Sequence, residues 1–212
     1  TASGTRLRIT GLVTTAGSPG ALTSSPFGTG PITIGQVATD KAGILLDTVP
    51  NNTIVNDIVF NTILGTDQPG IRLDTTGHTF SGTITANLSD ALFANTGSAS
   101  LTGKVTGASG LQLAGSNAAL AITLGGTAAN DYAGSTQVKA GILILAKPAS
   151  VNAIPGNVTI ADGTNNDVVR VTANEQIADT ALISFNSGGN LNSAILQLAG
   201  GVTETVGGIS TS

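Results

Sequence analysis

The chain has 212 residues, enough to bury a substantial core, yet only 9% are charged and 3% aromatic, and Cys, Met and Trp are absent. A net charge of −4, with eight Lys and Arg that nowhere cluster, leaves no basic stripe for nucleic acid or for an anionic membrane surface. Without Cys there is neither a disulfide framework nor Cys–His chemistry, and no apolar run approaches the ~18 residues of a membrane helix.

Low charge and abundant Gly could suggest disorder, but disorder needs few aliphatics and a high net charge, and neither holds. Helix patterning is missing: no long window places apolar residues at i, i+3, i+4 and i+7. Short strand signals recur instead, at 7–10, 31–34, 43–46, 58–60, 70–73, 82–86, 91–94, 100–105, 110–113 and 120–124. They continue at 136–138, 142–145, 158–160, 168–171, 182–185, 195–198 and 206–209, each bounded by Gly, Asn, Asp, Ser or Pro. Several alternate apolar–polar–apolar, as in Ile71-Arg72-Leu73, Leu111-Gln112-Leu113 and Val158-Thr159-Ile160, which faces one side inward and one to water.

The chain also resembles itself. Gly30-Pro31-Ile32-Thr33-Ile34 matches Gly156-Asn157-Val158-Thr159-Ile160, Ile71-Arg72-Leu73 matches Leu196-Gln197-Leu198, and Gly82-Thr83-Ile84 matches Gly207-Gly208-Ile209. The expectation is one continuous solenoid over 1–212, with repeat copies at 1–86 and 131–212 and intervening coils at 87–130. A right-handed parallel β-helix is favoured over a β-sandwich. A sandwich calls for hairpin dipeptides and aromatic anchors, whereas a solenoid lines a thin tube with stacked aliphatics and turns at Gly, Asn and Thr. Coils of ~20–25 residues give roughly 8–10 turns at ~4.8 Å each, a rod about 40–50 Å long.

One stretch is more specific. Asn130-Asp131-Tyr132-Ala133-Gly134-Ser135-Thr136-Gln137-Val138-Lys139-Ala140-Gly141-Ile142-Leu143 resembles the autotransporter-associated β-strand repeat, N-x-Y-x-G-x-T-x-V-x-x-G-x-L, with Leu111-Gln112-Leu113-Ala114-Gly115 as an upstream L-x-L-x-G lead-in. The first copy keeps only Gly4 and Thr5 of this pattern. The resemblance implies a parallel β-helix in a large secreted or surface-displayed bacterial protein, often a passenger stalk.

Candidate chemistry is sparse, and no catalytic, cofactor-binding or metal site is assigned. His78, the single histidine, reads as part of a turn, Thr76-Gly77-His78-Thr79. The twelve acids are spread along the chain with no close pair on a strand face, so the paired carboxylates of a polysaccharide-degrading β-helix are not evident, and an enzyme is not expected. Asp162-Gly163-Thr164-Asn165-Asn166-Asp167 has oxygen ligands at the short spacing calcium takes, but neither the order of an EF-hand nor the nonapeptide repeat of calcium β-rolls, so a polar turn is favoured over a calcium site and no cofactor is assigned. Asn87-Leu88-Ser89 and Asn157-Val158-Thr159 fit the glycosylation sequon, as chance allows in a Thr-rich chain, and Tyr132 is placed at a coil corner.

The expected function is a structural rod, part of a bacterial surface stalk, adhesin shaft or fibre, extracellular or on the cell surface. The chain lacks Met and any basic-then-apolar leader, and is read as a processed product or an excerpt of a longer one. Its expected partners are further copies or further chain at the solenoid ends, or a glycan or surface ligand at lateral loops such as Gly11 to Phe27 or Asp90 to Ser98. Nucleic acid and a membrane span are not expected.

Overall fold

The computed structural model describes residues 5–13, 15–35, 42–61, 70–114, 120–160, 167–186 and 194–211. Strands, turns and loops account for all of them. The longest sheet stacks nine strands in sequence order: β1 (Thr5–Ile9), β5 (Ala42–Leu46), β8 (Ile71–Leu73), β11 (Ala91–Asn95), β14 (Leu111–Ala114), β16 (Thr136–Val138), β18 (Val158–Ile160), β20 (Leu182–Phe185) and β22 (Gly208–Thr211). A second sheet stacks seven: β6 (Thr53–Ile54), β9 (His78–Phe80), β12 (Ser98–Leu101), β15 (Ala121–Leu124), β17 (Ile142–Leu145), β19 (Asp167–Val171) and β21 (Ala194–Leu198). A third has four: β4 (Ile32–Ile34), β7 (Ile58–Phe60), β10 (Ile84–Ala86) and β13 (Val105–Thr106). Every pairing in these sheets is parallel.

The chain visits the sheets in rotation, β5, β6 and β7, then β8, β9 and β10, so each of these coils adds one strand to each face. This is a right-handed parallel β-helix, the hand that parallel crossovers adopt. The sandwich alternative fails because its sheets would be antiparallel. Coil length varies along the rod. In the longest sheet, Ile44 lies opposite Ile71 and closes a long coil, whereas Ala91 lies opposite Leu111 and closes the shortest. Later coils fall between these limits, with Thr136 facing Val158 and Ile183 facing Ile209. Nine rungs spaced by ~4.8 Å make a rod about 38 Å long.

The period-two alternation explains the core. Ile44, Ile71, Phe93, Leu113, Val138 and Ile160 stack as one in-register column, all buried. Phe80, Leu101, Leu124, Leu145 and Val171 form a second column on the next face. Phe80 and Phe93 meet edge to face, with ring centres 5.8 Å apart. Each buried Leu or Ile contributes about 1.5–3 kcal/mol, so a thin tube gains its stability by repetition.

Four sequence expectations need correction. His78 is no turn residue: the turn is complete by Gly77, and His78 opens β9 with its side chain facing inward. The stretch 100–105 is two strands, because the chain rounds a corner at 102–104 between β12 and β13. Asp90 to Ser98 is no lateral loop, since most of it is β11 within the nine-stranded sheet. The stretch from Gly11 to Phe27 does leave the rod, but as an antiparallel hairpin, β2 (Ala16–Ser18) and β3 (Ala21–Ser24), turned at Pro19-Gly20. That hairpin lengthens the first coil, which closes only where Thr5 faces Ala42. The matched landmarks of the two sequence copies sit one face apart in a constant sense. β4 belongs to the four-stranded sheet and β18 to the nine-stranded one, while β8 belongs to the nine-stranded sheet and β21 to the seven-stranded one.

Every fixed position of the 130–143 motif has a physical role, Gly134 included, where a Cβ would strike the backbone of Gly110. Asn130 bridges coils: its Oδ1 accepts from the Val105 N–H (2.9 Å) and its Nδ2 donates to Ala153 O (2.8 Å). The Tyr132 hydroxyl meets Thr136 Oγ1 at 2.6 Å inside the core. Val138 and Leu143 are core residues. Gly141 has φ = 73° and packs so closely on the preceding coil that a Cβ would strike Leu120 O.

Core and surface positions of one strand should therefore respond differently. Leu143→Ala is expected to cost about 2–5 kcal/mol in urea unfolding, and Ile144→Thr, on the outer face of the same strand, under about 1 kcal/mol. Equal losses would contradict the inward–outward assignment.

Candidate functional site: a groove where the third sheet ends

The four-stranded sheet ends at β13, and in the coils beyond it the third face is made of the loops at 125–135, 146–157, 172–181 and 199–207. Their backbone groups still need partners, because an unpaired buried N–H or C=O is costly. Part of the ladder survives. Asp131 N–H donates to Val105 O (3.1 Å), Ser150 N–H to Asn174 O (2.9 Å), Ala153 N–H to Gln176 O (2.7 Å), and Ile154 and Ile177 form a parallel bridge.

Buried polar side chains supply the rest. Lys147 is 2% exposed, and its Nζ donates to Gly125 O (2.6 Å) and Ala128 O (2.7 Å) of the coil before it. Gln176, fully buried, accepts from Lys147 N–H on Oε1 (2.8 Å) and donates from Nε2 to Pro148 O (2.9 Å). Glu204 accepts from Gln176 N–H (2.8 Å) and Ile177 N–H (2.9 Å). Each coil thus clasps the loop of its predecessor. Burial lowers the Lys147 ammonium to about 8. Burial raises the Glu204 carboxyl, the negative charges of Glu175 and Asp179 add to it, and the two N–H donors oppose it.

Over these loops lies an open groove of about 500 Å³, lined by Ser150, Asn152, Glu175, Ala178, Asp179, Thr180 and Thr205 from three successive coils. Ser150 and Glu175 both adopt left-handed backbone, with φ of 63° and 52°. Glu175 is tied down, its carboxylate accepting from Thr205 N–H (3.1 Å) and Thr205 Oγ1 (3.2 Å). Asn174 Oδ1 likewise accepts from Thr203 N–H (3.1 Å). The side chains of Ser150, Asn152, Asp179 and Thr180 make no hydrogen bond to the described residues, leaving two hydroxyls, an amide and a carboxylate open to a ligand. No sequence signal marks this grouping, since Glu175 and Thr205 are a full coil apart and only the register unites them.

The residues singled out by sequence lie elsewhere. His78 Nδ1 accepts from Asn52 N–H (3.3 Å), which places the proton on Nε2, 2.9 Å from Thr75 Oγ1; that hydroxyl in turn donates to Val49 O (3.2 Å). It is a neutral structural imidazole, and burial lowers its pKa. Tyr132 sits buried at a corner as expected, and burial raises its pKa. The polar turn 161–166 lies outside the described residues, and Asp167 at its end is buried in β19. Among the other acids, Asp40, Asp67 and Asp162 also lie outside them. Asn157 Oδ1 accepts from Leu182 N–H (2.9 Å) and Asn87 Nδ2 donates to Asn61 Oδ1 (3.0 Å), so both sequon asparagines take part in links between coils. No group of three or more His, Cys, Asp or Glu among the described residues is placed to hold a metal ion.

Two buried bases give a signed pH dependence. Both have lowered pKa values when folded, so the unfolded chain takes up protons more readily and stability rises with pH through each interval. Melting temperature should fall as pH drops below about 6.5, the ordinary value for His, and should rise between about 8 and 10 as Lys147 deprotonates ahead of its unfolded value of 10.5. His78→Asn should flatten the acid limb alone and Lys147→Met the alkaline limb alone. Profiles unchanged in both variants would refute the assignment.

The chain matches no family model, no curated protein and no solved structure.

Proposed function

We propose that the chain is a structural rod: a segment of a bacterial surface stalk, adhesin shaft or fibre that works outside the cell by holding its length. The observation that carries this reading is the continuous core. In-register apolar columns cross the rungs from Ile44 to Ile160 and from Phe80 to Val171. The resemblance of 130–143 to passenger-type repeats supports the extracellular setting. No catalytic role is assigned.

The rod accepts further coils. Ile209 is 63% exposed and Leu198 42%, whereas Ile183 and Val171, their partners one coil earlier, are fully buried. A parallel coil stacked on β21 and β22, from continuing chain or from a second copy, covers these side chains and pairs both strand edges. Neither edge carries a charged residue to discourage that pairing.

A second reading is favoured by one observation. The hairpin from Ala16 to Ser24 projects from the rod with most of its residues exposed, which suits a binding module for glycan or matrix ligands. Loss of glycan-array binding when the hairpin alone is replaced would support it.

Small-angle scattering tests the rod. An elongated particle whose maximum dimension grows with concentration is expected, and Ile209→Asp should suppress that growth without loss of the β-type circular dichroism. A compact particle, independent of concentration, would sink the reading.

A further inference from the structure

We propose that the groove over the last coils is a lateral saccharide subsite that takes a neutral or amine-bearing glycan segment and rejects acidic ones. It stands apart from both the rod and the hairpin. Four features of the groove carry it.

The first is shape. Ser150 and Asn152, then Glu175 to Thr180, then Thr205 come from three successive coils, so the groove runs along the rod axis for about 10 Å, two strand spacings. That length suits two linked sugar rings. The volume of about 500 Å³ lies within the range of small-ligand sites.

The second is the set of open hydrogen-bonding groups. The Asp179 carboxylate only accepts and can take two neighbouring hydroxyls, one on each oxygen. The Asn152 amide both donates and accepts, and the Ser150 and Thr180 hydroxyls do either. Sugar hydroxyls, which also do both, complement this mixture. Among the described residues of the lining, Ala178 is the only purely apolar side chain, too little to hold a hydrophobic ligand.

The third is rigidity. Glu175 is bound at both carboxylate oxygens by Thr205, Asn174 is bound to Thr203, and Ser150 N–H is fixed to Asn174 O. The floor is therefore set before a ligand arrives, which lowers the ordering cost of binding.

The fourth is charge. Glu175 and Asp179 line the groove, Glu204 lies close enough to feel both, and no Lys or Arg is among the described lining residues. Uronates and sulfated sugars are repelled. An ammonium on an amino sugar is attracted and makes a charge-assisted hydrogen bond to Asp179.

The test is titration of the isotope-labelled full chain, followed by amide NMR, with oligomers of glucosamine, of N-acetylglucosamine and of galacturonate, and with spermidine as a charge control. Glucosamine oligomers should bind several-fold more tightly than the N-acetyl series, and galacturonate should not bind. Shifts should be confined to residues near 150–152, 175–180 and 203–205. Asp179→Asn should weaken glucosamine binding at least about fivefold, and Asn152→Ala should weaken both neutral and amino series. Neither side chain bonds to a described residue, so melting temperatures should hold. Absence of sugar binding, shifts elsewhere, galacturonate binding, or spermidine binding as tight as the glucosamine oligomer would each overturn the proposal.

Discussion

The structure depends on one constraint: no coil can satisfy its own backbone. A parallel strand has no hairpin partner, so each N–H and C=O must find its mate a full coil away, on the rung before or after. In-register stacking follows from that demand. Side chains at equivalent positions then lie directly above one another, and the core becomes a set of columns. Gly141 shows how tight the stacking is at corners, where a left-handed turn lies against the carbonyl of the coil below. Such a fold is close to one-dimensional, with stability arising from each coil's contact with its neighbours.

Where a strand is missing, the constraint is met by side chains. Up to β13 the third face is paired as sheet, and beyond it Asn130, Lys147, Gln176 and Glu204 take over, each reaching main-chain groups of the coil before its own. A buried ammonium without a carboxylate partner is expensive to hold. Its two carbonyl acceptors offset part of that cost, and burial lowers its pKa to about 8. His78 performs a related task in the earlier coils, through the Asn52 N–H and the Thr75 hydroxyl. The buried polar groups of this chain read as chemistry when met in sequence; in the fold they are fasteners.

The fold class was legible because alternation has a direct physical cause. Leu111-Gln112-Leu113 and Val158-Thr159-Ile160 place two side chains in the tube and one in water, and their burial follows that pattern. The low aromatic content was legible for the same reason, since a narrow tube accommodates few rings: Phe60, Phe80 and Phe93 are wholly buried. Short elements escaped notice. β6 has two residues, and β9 begins with a histidine straight after a glycine, so neither shows enough alternation to be seen. The hairpin from Ala16 to Ser24 has polar residues on both faces because it does not pack on the core. The groove was illegible altogether, since its residues meet only through the stacking of coils whose length changes from one rung to the next.

The end of the third sheet also explains why a groove occurs on this face. Up to β13 the third face is a paired parallel sheet. Once the strand is replaced by loops, backbone direction is set by individual clasps and by left-handed residues at Ser150 and Glu175. The clasps that hold the last coils in register, Glu204 on Gln176 and Ile177 and Glu175 on Thr205, are also the bonds that shape the groove floor. Rod and groove share these bonds, so a change at Glu175 or Glu204 disturbs both. Asp179 and Asn152, whose side chains bond to none of the described residues, are the residues at which a ligand-binding role can be separated from a structural one.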